Sequence, residues 1–181
     1  MVELKGQLTI QYLASFIFFI GLIIYIYFAY SANLPAFVEE VRKEDVRSKA
    51  FQLSEILLND PGEPKNWNQS TTYSELKRIG FADHDSNKNN LILKSKIDAF
   101  KSYWGGSCGT PLKFKEIQER LGLNQPFSIL IFNITENGNR QVLLDCVPSN
   151  FPKTSINATV KRITALNDSG KLELVEIIVQ M

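Results

Sequence analysis

From residue 8 to residue 38 the chain carries no charged side chain, and between 12 and 30 it is nearly all Leu, Ile, Phe, Tyr and Ala. A helix rises ~1.5 Å per residue, so a run of this length crosses the ~30 Å hydrocarbon layer of a bilayer. An ordinary secretory signal has a shorter apolar core and a small-x-small cleavage site behind it. This run is longer, and it ends in Tyr25, Tyr27, Phe28 and Tyr30, the composition of an interfacial aromatic belt. The sequence therefore predicts a single membrane-spanning helix followed by one domain. Lys5 and the amino terminus precede the span, and Glu39 and Glu40 follow it ahead of Arg42 and Lys43. Glu3 offsets part of that bias. The balance favours the N-terminus inside and residues 33–181 outside.

The bulk numbers agree with that plan. At 181 residues, one anchor and one domain is the natural division. A net charge of +1, with no Lys/Arg block, lacks the basic stripe of a nucleic-acid partner. Both cysteines, Cys108 and Cys146, fall in the outer domain, where an even count points to a bridge. Closing a loop of about 38 residues is worth roughly 4 kcal/mol in the chain-entropy model. Two buried free thiols are the alternative, since spacing alone does not prove pairing. Four Asn-x-Ser/Thr sequons, at Asn68, Asn133, Asn157 and Asn167, fit glycosylation of an external face.

Residue periodicity divides the chain. Leu34, Val38, Val41, Val46, Ala50, Leu53 and Leu57 recur at helical spacing, which predicts an amphipathic helix packing on a globular head. Asn33-Leu34-Pro35 predicts a kink or break near the membrane surface, because proline lacks the backbone donor. The breaker cluster Asn59-Asp60-Pro61-Gly62-Glu63-Pro64 ends the helix. Trp67 is expected to anchor the following loop, with Leu76, Ile79, Phe81 and Ala82 as a short apolar strip. Residues 95–103 and 113–121 read as helices, with Ile97 and Phe100 inward and Gly122 as a C-cap. The last third changes period. Residues 127–134, 141–147, 155–166 and 171–179 read as four strands joined by tight turns, an antiparallel sheet. The fold class expected is α+β: a long N-terminal helix, short helices, and a C-terminal sheet.

That layout resembles type IV pilins and pilin-like proteins. Lys5-Gly6-Gln7, then Leu8-Thr9-Ile10-Gln11-Tyr12 and the apolar run, look like an archaeal prepilin-like protein with a class III signal peptide. The loop Asn59-Asp60-Pro61-Gly62-Glu63-Pro64-Lys65-Asn66-Trp67 also looks like one that follows the long helix in archaeal members. The resemblance implies cleavage by a prepilin peptidase between Gly6 and Gln7. Residues 1–6 would then be a leader, 7–32 a transmembrane and assembly helix, and 33–181 an extracytoplasmic head. It implies no cofactor and no catalytic residue. The implied partners are the peptidase, other pilin-like subunits and membrane lipid. The implied location is the membrane, with an external C-terminal domain, or a cell-surface filament. Pilins usually carry Glu at the fifth mature position, where its carboxylate meets a neighbour's N-terminal amine. Here that position is Gln11, which hydrogen-bonds but bears no charge. The departure favours a minor or accessory subunit, or an adhesin or sensor domain that never polymerises. Apart from any resemblance, an uncharged helix trades lipid for identical helices at little cost, and Ala14, Ser15, Gly21 and Ala29 are small enough for close approach.

The remaining constellations are weaker. Asp83-His84-Asp85-Ser86-Asn87-Lys88-Asn89-Asn90 spaces oxygen ligands like a calcium loop. Yet it has Lys88 where such a loop needs Gly, and Lys94 where it needs Glu, so a polar turn is expected. His84 is the only histidine, and the cysteines fit no zinc spacing. Gly105-Gly106-Ser107-Cys108-Gly109-Thr110 lacks the lysine of a phosphate loop, and turning explains its glycines. Trp67, Tyr103 and Trp104 are expected in the core rather than on a binding surface. An exported enzyme needs a polar cleft that the sequence does not locate.

Overall fold

Helical spacing gives way to strand spacing along the chain, and the computed structural model of the protein follows that order. It describes residues 3–69, 75–84, 90–105, 108, 110–135, 137–148, 151 and 158–181, with backbone alone for 3–9. The elements are α1 (Glu3–Asn59), a 3-10 turn (Trp67–Gln69), β1 (Leu91–Leu93), α2 (Lys94–Trp104), α3 (Pro111–Arg120), β2 (Ser128–Ile134), β3 (Arg140–Cys146), β4 (Thr159–Asp168) and β5 (Lys171–Gln180). The chain divides into two compact units, Met1–Arg42 and Lys43–Met181.

In the first unit α1 runs through Pro35 without the break expected there. Proline removes a single backbone donor, and the turn ahead of it is reinforced by Asn33 Nδ2, which donates to the Ala29 carbonyl at 2.7 Å.

In the second unit α1 turns amphipathic. Val46 is half-buried, and Ala50, Leu53, Leu57 and Leu58 are buried. The packed stripe thus begins at Val46, whereas Leu34, Val38 and Val41 are exposed. The helix stops where expected, and the loop behind it is tied down. Trp67 is buried and donates from Nε1 to the Gly80 carbonyl at 3.0 Å. Gly80 is required, since a Cβ there would sit 2.0 Å from the Asp60 carbonyl oxygen. The Lys96 side chain, fully buried, donates to the carbonyls of Pro61 at 2.6 Å and Ala82 at 2.7 Å. Buried carbonyls without a donor cost about 1–3 kcal/mol each, so this lysine holds the loop to the head.

Five strands form one sheet in the order β1-β4-β5-β2-β3. The antiparallel expectation holds for β4 with β5, β2 with β5, and β2 with β3. The addition is β1, which pairs parallel to β4 and makes the sheet mixed. Ser169 and Gly170 both take positive φ between β4 and β5, the conformation of a two-residue hairpin turn matched to strand twist. Alternate residues point to one face: Ile129, Ile131, Leu144, Leu166, Val175, Ile177 and Val179 are all fully buried. They share one core with Leu53 and Leu57 of α1, Ile97, Phe100 and Trp104 of α2, and Phe114 and Ile117 of α3. Arg162 on the same face bonds Glu55 at 2.5 Å and lies over the Phe51 ring. Helices therefore cover this inner face, which gives the expected α+β class as two layers. The Cys108–Cys146 disulfide, with Cα atoms 4.9 Å apart, ties the α2–α3 connector to the end of β3.

Candidate membrane and assembly helix

Four consecutive residues of a helix point in four directions about 100° apart, so they sample its whole circumference. Ile17, Phe18, Phe19 and Ile20 are such a set, and each is exposed, from 75% at Phe18 to 38% at Ile20. The helix is thus apolar on every side, and none of its strongest window is buried within the chain. That window has a mean hydropathy of 2.2, long and apolar enough to cross a membrane. A helix apolar all round needs a protein core or a bilayer around it. Gly21 is not required by this chain's own packing, because an added Cβ would meet nothing within 4 Å. Gln11 lies on the exposed surface of the same helix. Gly6 and Gln7 are within α1, where the backbone alone is described.

The other predicted residues are dispersed over the head. Asn68 donates to Ser95 Oγ at 2.9 Å, and Asn133, on β2, donates to Glu173 at 2.6 Å. Asn167 accepts from the Gly170 N–H at 2.9 Å, and its amide lies 3.5 Å from Asp83. All three are half-buried, so attachment of a glycan would displace contacts the fold uses. Asn157 lies outside the described residues, as does the middle of the 83–90 loop. Among the described residues no group of three or more His, Cys, Asp or Glu could hold a metal. Trp67 and Trp104 are buried in the core, as expected, and Tyr103 packs between them at 6.4 Å and 5.9 Å.

Among the described residues, recesses lie on the head's surface. One, of about 330 Å³, is lined by Lys94, Ser95, Asp98, Asn167 and Asp168 among others. Lys94 and Asp168 pair across it at 2.6 Å, and that hydrogen bond, with the charge of Asp168, raises the lysine pKa. Another, of about 650 Å³, is open and lies between the β2–β3 hairpin and the start of β5. Its polar side is Glu173, whose pKa is lowered by hydrogen bonds from Lys171 first and then Asn133. These are ion-paired surface grooves rather than the water-excluded pockets that bury a small ligand.

Two features were not read from the sequence: the buried Lys96, and the Glu176 carboxylate set on a sheet face and paired with Arg140 at 3.0 Å. The available signal for the second was Glu176 itself, standing in the apolar run Leu174-Val175-Glu176-Ile177-Ile178-Val179. No protein-family model, curated protein or solved structure matches the chain.

Proposed function

We propose that this chain is a pilin-like subunit of a cell-surface filament, a minor or accessory one. A prepilin peptidase would cut between Gly6 and Gln7. The N-terminal helix would then wait in the membrane and pass into a bundle of sister helices, with the disulfide-tied head outside. One observation carries the reading: a helix apolar on all sides and unburied in its own chain, headed by Lys5-Gly6-Gln7. Such a surface demands an apolar surrounding, and lipid and sister helices supply it about equally well. The mechanism is assembly rather than chemistry.

Gln11 supports a second reading, a membrane-anchored adhesin or sensor domain that never polymerises. In the filament reading it fills, without charge, the place where the pilins it resembles bring a carboxylate. N-terminal mass spectrometry of the native protein separates the two. A mature chain beginning at Gln7 supports the first, and an intact Met1 the second. Gly6→Leu should leave the precursor uncut in cells that hold the peptidase. Identical band sizes for wild type and variant would remove the basis for the filament reading.

A further inference from the structure

The sheet's outer face, away from the helices, is apolar as well. Val142, Ile163, Leu172 and Leu174 are exposed there, while Leu130, Phe132 and Ile134 are half-buried. Monomeric proteins seldom leave a contiguous apolar patch of more than a few hundred Å² open to water. Strand register orders this face into rows across β4, β5, β2 and β3. The first row reads Lys161, Ile178, Leu130, Asp145. The second reads Ile163, Glu176, Phe132, Val142, and the third Ala165, Leu174, Ile134, Arg140.

The first row is a cation at one end, an anion at the other, and two aliphatic residues between. Both charged residues are exposed, and neither Lys161 nor Asp145 has an ion pair within the described residues. Two such faces laid together about a two-fold axis parallel to the strands reverse the strand order. Lys161 then meets Asp145 of the second copy, at both ends of the row. The same operation sets Ile163 against Val142, and Leu174 against Ile134. In the middle of the face Glu176 already has its counter-charge: the Arg140 guanidinium lies 3.0 Å from Oε2, an ion pair without hydrogen-bond geometry, and 6.0 Å over the Phe132 ring. No unpaired charge would therefore enter the interface, which is the condition for burying one. Four strands at about 4.8 Å spacing and seven residues at about 3.3 Å give a face of about 19 by 23 Å. That footprint of about 440 Å² is roughly half of the ~800 Å² per partner that a standard specific complex buries.

We propose that this outer face is a self-association surface, on which two copies of the chain pack their sheets as a β-sandwich about a two-fold axis parallel to the strands. Aligned sheets in such sandwiches lie about 10 Å apart with strands about 30° off parallel. The partner is a second copy because the face complements itself in charge and in apolar position under one symmetry operation. The proposal does not rest on the filament reading, since an anchored, non-polymerising protein would present the same face.

The test is sedimentation equilibrium of the full-length chain in density-matched detergent. The wild type should dimerise. Lys161→Glu alone and Asp145→Lys alone should each weaken the dimer about tenfold or more, by setting like charges opposite one another twice. The double variant restores opposite charges and should recover the wild-type constant to within about threefold. Leu174→Arg should abolish dimerisation while leaving the head's thermal midpoint near that of wild type. A wild type monomeric at about 100 μM, weaker than specific dimers, overturns the proposal. So does a dimer indifferent to Leu174→Arg, which would place association on another surface. Single reversals that weaken while the double fails to recover overturn the two-fold arrangement.

Discussion

Residues 10–42 and 43–59 of α1 share one backbone conformation and treat their apolar side chains in opposite ways. In the second stretch Ala50, Leu53, Leu57 and Leu58 are buried, and polar residues take the other sides. In the first, side chains from Ile10 onward are exposed whichever way they point. The contrast separates two uses of hydrophobicity. One is consumed by this chain's own core. The other is left over, and a leftover of this size is a demand on the surroundings. Composition alone does not distinguish them, because Leu53 and Leu22 are the same residue; position against a second layer does.

The strongest way to break the comparison is to damage one region and watch the other. Phe100→Ala removes a fully buried ring packed 5.7 Å from Phe81 and 4.6 Å from Trp104. The expected loss is about 3–5 kcal/mol of head stability. Chemical denaturation followed by tryptophan fluorescence should show it, while membrane retention after alkaline extraction stays unchanged. Loss of retention together with stability would mean that the two stretches are not independent.

Nearly as large is the disulfide. Replacing both Cys108 and Cys146 by Ser frees a sequence separation of 38 residues. The chain-entropy model gives about 4 kcal/mol for such a loop. The native protein should run faster on a non-reducing gel than after reduction, and the variant should show no such shift. Unequal effects sharpen the picture further. The variant's head should unfold at lower denaturant with the span unaffected.

The converse damage is Ile20→Arg. An arginine at the centre of a span costs about 3 kcal/mol of insertion. The protein should shift from the membrane pellet to the soluble or aggregated fraction, with the head's denaturation midpoint in place. Retention equal to wild type would remove the membrane from the account of residues 10–33.

What the sequence discloses follows the same division. Patterns with many repeats of one period are legible: the long apolar run, the stripe from Val46 to Leu57, and the hairpins β2–β3 and β4–β5. Short or non-periodic features are not. Three residues, Leu91–Leu93, display no period, and β1 exists because β4 offers a neighbouring edge. The expected break at Pro35 fails because one missing donor is a local cost that a long helix absorbs. Lys96 is buried although lysines seldom are, because its partners are the backbone carbonyls of Pro61 and Ala82, which no residue pattern announces. The outer face of the sheet was legible in part. Leu172, Leu174 and Ile178 alternate toward it, yet only the register shows which residues of other strands share their rows.

The smallest effect concerns acid. Glu173 has a lowered pKa, caused first by the hydrogen bond from Lys171, then by the charge of that ammonium group and by the hydrogen bond from Asn133. Its folded value lies below its unfolded one, so its contribution is complete above the ordinary glutamate range near 4.5. That contribution fades as pH falls through the folded value. Glu173 is half-buried at the rim of an open groove and its partner Lys171 is exposed, so the effect is slight and screened by salt. Stability of wild type and Glu173→Gln, compared at neutral pH and near pH 3, should differ more at neutral pH and converge in acid. A difference that grows in acid would reverse the sign and exclude an ionised Glu173 as the acceptor of Lys171 and Asn133. The head's stability should thus carry a weak acid dependence from this groove. Residues 10–33, which hold no titratable group but tyrosine, should keep their hold on the membrane throughout.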